Sequence, residues 1–286
     1  MIGVIGFLCR DTDIKEEHNK KIEKIGGKAY YEGIALSYMG IPTRIMFYAD
    51  DNSKDIIKKM SLPKLELHNV ICEKTPSIIN TYKDKDLEVR EWKIMPNDFR
   101  YTKEMIDDDM KKSKYIIICP LNPRETDAEL LEYLKQNTKA KLAGDLDFYI
   151  SDVKENGEVI KMDNKSLEKI LSSLDIAIIS KKDRIIEGTD KEILRYIGKQ
   201  GVEEAIMTRG YKGALIYSKK ENKIYDIPSV KPEKIVDTTG AGDTFLAAYV
   251  AARYKGKNIE KAGRFAAKVA SAKLESFGAL DKKVMI

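Results

Sequence analysis

Cysteine, histidine, glutamine and a dominant charge sign are all scarce in this chain, and each shortage removes a class of function. Three cysteines, Cys9, Cys72 and Cys119, are widely spaced and odd in number. They exclude a disulfide framework and a cysteine-rich zinc site, and each reads as a small buried hydrophobe. The two histidines, His18 and His68, lie far apart in polar stretches, which removes histidine-based triads and histidine-rich metal centres. No run approaches the roughly 18–20 apolar residues of a membrane span, and the start, MIGVIGFLCR, has no basic region before its short apolar run. A cytoplasmic protein with no membrane partner is expected. Basic and acidic residues number 51 and 46, a net charge of +5. The two signs are interspersed, against a dedicated nucleic-acid-binding role. Only Gln136 and Gln200 accompany the many Lys and Glu residues, a balance suited to a heat-adapted organism. Chemistry must therefore rest on carboxylates, backbone amides and cations.

What is present suits a large α/β protein. With 286 residues, 43% of them hydrophobic, the chain can bury a sizeable core. Short apolar runs read as strands buried on both faces at Ile2 to Leu8, Thr43 to Tyr48, Tyr115 to Cys119, Ala140 to Leu146, Ile176 to Ile179, Glu204 to Thr208 and Ala214 to Tyr217. Amphipathic stretches of helical period lie between many of them, clearest at Lys28 to Met39, Asp127 to Gln136, Lys165 to Leu174 and Lys191 to Gly198. This alternation predicts a single α/β domain, a mostly parallel central sheet sandwiched by helices. One region breaks the rhythm. Ser77 to Tyr82 and Leu87 to Ile94 read as extended segments joined by the polar turn Lys83-Asp84-Lys85-Asp86. That hairpin signal predicts either a small β lid over a ligand crevice or an edge hairpin of the main sheet.

The most informative segment is Asp237-Thr-Thr-Gly240-Ala241-Gly242-Asp243, followed by a run of Phe, Leu, Ala, Tyr and Val suited to a buried helix. A glycine-rich loop opening a helix presents unsatisfied N–H groups and the positive end of the helix dipole, an anion site. It lacks the Gly-Lys-Ser/Thr of a Walker loop and the third glycine of a dinucleotide fingerprint. Asp243 then needs a reason, because a carboxylate among such amides repels an anion unless it faces the incoming nucleophile. A general base beside an anion hole fits.

These residues carry a resemblance. Asp237-Thr-Thr-Gly-Ala-Gly-Asp243-Thr-Phe resembles the C-terminal signature of the ribokinase-like (PfkB) carbohydrate kinases, and other pieces follow in that family's order. Gly6 followed by Asp11 is similar to the first strand and its substrate-binding aspartate. Gly26-Gly27 before a helix resembles the N-terminal di-glycine signature, and Thr208-Arg-Gly210-Tyr-Lys-Gly213 the nucleotide-side strand and turn. The resemblance implies a ribokinase-like fold and phosphoryl transfer from ATP, with Mg²⁺, to an alcohol. Asp243 would be the base and Gly240, Ala241 and Gly242 the anion hole. Thr208, Gly210 and Gly213 would bind nucleotide, Asp11, Gly26 and Gly27 the acceptor. It further implies a homodimer paired through the lid.

Departures from the family pattern leave some roles open. Ser180-Lys-Lys-Asp183 stands where the family has Asn-x-x-Glu. Asp183 either organises the water shell of Mg²⁺ or opens a solvated helix. Asp237 and Thr239 match positions that help hold a monovalent cation such as K⁺, and a turn-forming role explains them equally well. Tyr30 and Tyr31 follow the glycines in place of a small polar wall, a form similar to the archaeal-type inositol, sugar or nucleoside kinase branch, as is Asp145-Leu-Asp147. The tyrosines either narrow the acceptor site or pack the helix on the sheet, and Thr12 to Ile25 either joins the lid or does not. The expected acceptor is a sugar, a cyclic polyol such as myo-inositol, or a nucleoside. Two other readings stay open, a catalytically silent nucleotide- or sugar-binding protein of the same fold and, weakly, a dinucleotide oxidoreductase.

Overall fold

The computed structural model describes residues 1–15, 20–82, 91–95, 98–163 and 165–284. The first half contains β1 (Ile2–Gly6), β2 (Cys9–Lys15), β3 (Lys20–Gly26), α1 (Lys28–Tyr38), β4 (Thr43–Ala49), α2 (Lys54–Lys59), β5 (Leu65–Ile71), β6 (Ser77–Tyr82), β7 (Glu91–Met95), α3 (Asp108–Lys111), β8 (Tyr115–Cys119), α4 (Ala128–Asn137) and β9 (Lys141–Asp145). The second half contains β10 (Ser151–Val153), β11 (Val159–Lys161), α5 (Leu167–Ser173), β12 (Ile176–Ser180), α6 (Asp190–Lys199), β13 (Glu204–Thr208), β14 (Ala214–Ser218), β15 (Lys223–Ile227), α7 (Ala241–Tyr254) and α8 (Ile259–Leu274).

Among the described residues the main sheet has nine strands in the order β15-β14-β13-β12-β9-β8-β1-β4-β5. The run from β13 to β5 is parallel throughout, and β14 and β15 add an antiparallel edge. The pleat sends alternate side chains to opposite faces. In β8, Tyr115, Ile117 and Cys119 join α1, α7 and α8 in one core, while Ile116 and Ile118 join α4, α5 and α6 in the other. Near-continuous apolar strands are what burial on both faces requires.

The small sheet is larger than the expected hairpin. Its order is β3-β2-β6-β7, with β2 and β6 parallel, so the Thr12 to Ile25 stretch contributes to two of its four strands. The turn Lys83-Asp84-Lys85-Asp86, the first four residues of the Leu87 to Ile94 segment, and His18 lie outside the described residues. The sheet rests on the body at β7, where Trp92 packs on Phe148 with ring centroids 6.2 Å apart. Among the described residues, no helix is long and apolar enough to cross a membrane.

Three of the longer helices begin with side-chain caps. Asp127 caps α4, Thr189 with Glu192 forms a capping box on α6, and Asn258 caps α8. Helices α1 and α7 begin instead at Gly27 and Gly240, both at positive φ and without a side-chain cap. Their opening amides are left for something other than their own side chains.

After β8 the buried Glu125 accepts from the Tyr48 hydroxyl at 2.5 Å and the Leu121 amide at 2.8 Å. Burial pushes its carboxyl up to about 8, outweighing those hydrogen bonds. The unfolded chain ionises Glu125 near 4.5, so its stabilisation is complete below that pH and is lost as pH rises toward about 8. Glu125→Gln should therefore flatten the pH dependence of unfolding in that window, by on the order of 1 kcal/mol per pH unit. Urea unfolding of both proteins at pH 5 and pH 8 checks this; parallel curves would mean an ionised Glu125.

Candidate active site

Asp145, Ser180 and Thr208 are the last residues of β9, β12 and β13, so three parallel strands deliver their carboxyl ends to one place, where ligands bind in open α/β sheets. A cavity of about 1610 Å³ opens there, walled on one side by Trp92 and Lys93 of the small sheet. Gly240, Ala241, Gly242 and Asp243 line it, as do Thr208, Gly210, Gly213 and Asp183. The residues singled out for donor binding, base and divalent metal thus share one cavity, while Asp237 and Thr239 do not line it.

The glycines are explained separately by their surroundings. Gly240 has φ +78°, and a Cβ there would fall 2.4 Å from the Tyr31 ring. Gly213 has φ +80°, and a Cβ would meet the Ile227 carbonyl at 2.1 Å. Gly242 differs: its φ is ordinary and a Cβ would meet nothing within 4 Å. Neither backbone conformation nor packing asks for glycine there, and the open space it faces is the cavity.

Lys28, in the first turn of α1, was not singled out from sequence. Its ammonium pairs with Asp145 and stands 5.0 Å from the Phe148 ring centroid. Burial opposes its charge, and Asp145, Asp147 and Asp243 together outweigh burial and raise its pKa. Lysine in the first turn runs against the helix dipole, and after two glycines that is the one local sign of a special role. Asp147 is pushed well up by burial and by Asp145, and its Oδ1 is buried without a hydrogen-bond partner among the described residues. Burial and Asp145 also raise Asp183. No group of three or more carboxylate, histidine or cysteine ligands is arranged to hold a metal ion among the described residues. Asp147 and Asp183 suit a divalent ion that keeps most of its waters, as Mg²⁺ does.

Asp11, Gly26, Gly27, Tyr30 and Tyr31 do not line this cavity. They stand at the root of the small sheet, where Cys9 pairs with Gly26 and Asp11 with Lys24 across β2 and β3. Asp11 is buried and accepts from the Cys9 thiol at 3.0 Å. A Cβ on Gly26 would fall 2.2 Å from an Asp11 carboxylate oxygen, and one on Gly27, at φ +100°, would fall 2.4 Å from the Phe7 carbonyl. The di-glycine therefore makes room for Asp11 and the β1 exit. Tyr30 is partly buried; Tyr31 is buried, and its hydroxyl has no hydrogen-bond partner among the described residues. Burial raises the Tyr31 hydroxyl, with Asp11, Asp237 and Asp243 adding to it.

Asp237 and Thr239 hold an internal ammonium. Lys24 Nζ lies 2.9 Å from Asp237 Oδ2, 3.3 Å from Thr239 Oγ1 and 2.6 Å from Asp13 Oδ2. Burial would raise the Asp237 carboxyl, but Lys273 and Lys24 outweigh it and hold it at about 2.

The pfkB family carbohydrate kinase profile matches residues 20–284. A nucleoside kinase of Methanocaldococcus jannaschii is 42% identical over 77 residues, 27% of this chain and 25% of that protein. A cytidine kinase of Thermococcus kodakarensis is 30% identical over 115 residues, 39% of this chain and 41% of that one. The matched stretches thus span a quarter to two fifths of these relatives. Among solved structures, a pyrophosphate-dependent kinase in the ribokinase family, complexed with a pyrophosphate analog and myo-inositol, superposes with a TM-score of 0.87 at 23% identity, covering 100% of this chain and 99% of that one. Ribokinase of Arabidopsis thaliana with ribose and ATP gives 0.76 at 18% identity over 99% and 96%. At these identities the likeness shows a shared fold.

Two glycine substitutions should separate packing from ligand room. Gly240→Ala should destabilise the protein by about 1–3 kcal/mol through left-handed strain and collision with Tyr31. Gly242→Ala should leave stability unchanged or raise it by up to about 1 kcal/mol, yet weaken ATP binding. Thermal unfolding and titration calorimetry on both variants check the contrast; equal ATP affinity in Gly242→Ala and wild type would show that the cavity room at Gly242 is not used.

Proposed function

The chain belongs to the pfkB family of carbohydrate kinases, and from that premise we propose that it transfers the γ-phosphoryl group of ATP to a hydroxyl of a small polyhydroxylated acceptor. The acceptor class is a sugar, a cyclic polyol such as myo-inositol, or a nucleoside. One observation carries this reading: a single cavity holds Asp243 beside the amides of Gly240 to Gly242 and, with them, an apolar shelf. The exposed Tyr211, Val230 and Ile235 belong to that shelf, with Ala267, Ala270 and Leu274. Exposed apolar side chains gathered in one cavity with a few polar groups suit a flat base.

In this reading the acceptor hydroxyl lies between Asp11 and Asp243. Asp11 accepts hydrogen bonds from the acceptor and orients it. The Asp243 carboxylate takes the proton as the oxygen attacks phosphorus. The opening amides of α7 and the Lys28 ammonium meet charge on the transferred phosphoryl oxygens, which is where such a transition state needs help. Asp183 and Asp147 would hold Mg²⁺ through water, and the ion when bound neutralises donor phosphate charge. No feature of the cavity favours a catalytically silent role.

A screen of sugars, myo-inositol and nucleosides against ATP and, separately, inorganic pyrophosphate, each with Mg²⁺, tests the proposal. Turnover of one compact polyol with ATP is expected. Turnover with pyrophosphate alone would reassign the donor and leave the apolar shelf unexplained, and no turnover with any pair would overturn the reading. Asp243→Asn should lower kcat about 10²–10⁴-fold with nucleotide binding retained. Asp11→Ala should raise the acceptor KM about 10- to 150-fold, as expected for lost hydrogen bonds to a charged group, and move the ATP KM little.

A further inference from the structure

Two lysines are buried where the chain approaches the cradle. Lys24, on β3, and Lys273, on α8, have side chains 4% and 0% exposed. Burying an ammonium is costly unless it is paired and fully hydrogen-bonded, so their partners show what the cost sustains. Lys24 Nζ meets Asp13 at 2.6 Å, Asp237 at 2.9 Å and the Thr239 hydroxyl at 3.3 Å. Lys273 Nζ donates to the Asp237 backbone carbonyl at 2.7 Å. Both ammonium groups converge on the turn that ends in Gly240.

The acceptor atoms of Asp237 are accounted for. Asp237 Oδ1 accepts the Thr239 amide at 2.9 Å, and Oδ2 accepts the Gly278 amide at 3.0 Å as well as Lys24. Its carbonyl oxygen serves Lys273. The charges also close: two ammonium groups face the carboxylates of Asp13 and Asp237. A soluble monovalent cation placed there would displace a covalently attached one or add an unpaired charge. Asp237 and Thr239 therefore do not fit K⁺ in this chain.

The same ammonium joins two parts of the fold. Asp13 lies on β2 and accepts from Asn80 of β6 at 2.9 Å, so Lys24 links the small sheet to the turn before α7. We propose that Lys24 is a positioning residue, the built-in counter-cation of the Asp237–Gly240 turn, which sets the anion cradle without a dissolved cation and locks it to the root of the small sheet. The effect on phosphoryl transfer rests on the kinase reading above; the absence of a cation site does not.

Two sets of measurements keep these parts distinct. Crystals of the wild-type protein soaked in thallium(I) should show no anomalous peak bounded by Asp237 and Thr239, whereas Lys24→Met crystals should show one. A thallium peak there in the wild type overturns the proposal whether or not a substrate is known. With substrates in hand, wild-type turnover should be the same in potassium, sodium and choline chloride at equal ionic strength. Lys24→Met should lose on the order of 10²-fold in kcat, the scale of a small misplacement of reacting groups, with both KM values changed far less, and potassium or ammonium should restore part of the loss. Wild-type turnover that depends on potassium, or a folded Lys24→Met with full kcat in choline, would overturn it. Should Lys24→Met fail to fold, the wild-type thallium and salt measurements still decide.

Discussion

Carboxylates are gathered where the parallel strands end, and several of those drawn out of water have positive partners. Lysines supply them. Lys28 answers Asp145 at the end of β9, and Lys24 with Lys273 answers Asp13 and Asp237 before α7. A buried pair of this kind returns little net stability, because desolvation offsets most of the attraction, but losing one partner strands the other. The arrangement therefore fixes geometry more than it adds stability. Asp243 stands at the opening of α7 with the Lys28 charge nearby, and Asp145 beside it is already paired with that lysine.

Much of the scaffold was legible in the sequence because the features that betray it are local. Tyr115 to Cys119 and Glu204 to Thr208 are continuous apolar runs and form the strands expected of them. The glycine loop before Asp243 announces an uncapped helix by composition alone. Edge elements were not legible. β5 reads Leu-Glu-Leu-His-Asn-Val-Ile and is nowhere fully buried, so it lacks the apolar continuity that marks a central strand. In α8, small residues outnumber large apolar ones, because they serve close packing on α7.

The candidate site was legible in part for the same reason. Gly240 to Asp243 and Thr208 to Gly213 are short contiguous motifs, and they reach one cavity. The lysines went unseen because their meaning lies in pairings across the chain: Lys24 and Asp237 are 213 residues apart, Lys28 and Asp145 117. In a sequence with 51 basic residues, nothing local distinguishes these from solvated surface charge. The roles of Gly26 and Gly27 were hidden likewise, since the Asp11 carboxylate and the Phe7 carbonyl that exclude a side chain there appear only once β2 and β3 pair.

The parallel pairing of β2 with β6 has an evolutionary consequence. Because the four strands of the small sheet come from separate stretches of the first hundred residues, with α1 and β4 between them, the sheet cannot be exchanged as one cassette. A recombination that imports β2 and β3 from a relative brings a new residue to position 24 and leaves the resident Asp237 to meet it. The small sheet and the electrostatics of the turn before α7 are therefore inherited as a linked trait, and divergence in one constrains the paths open to the other.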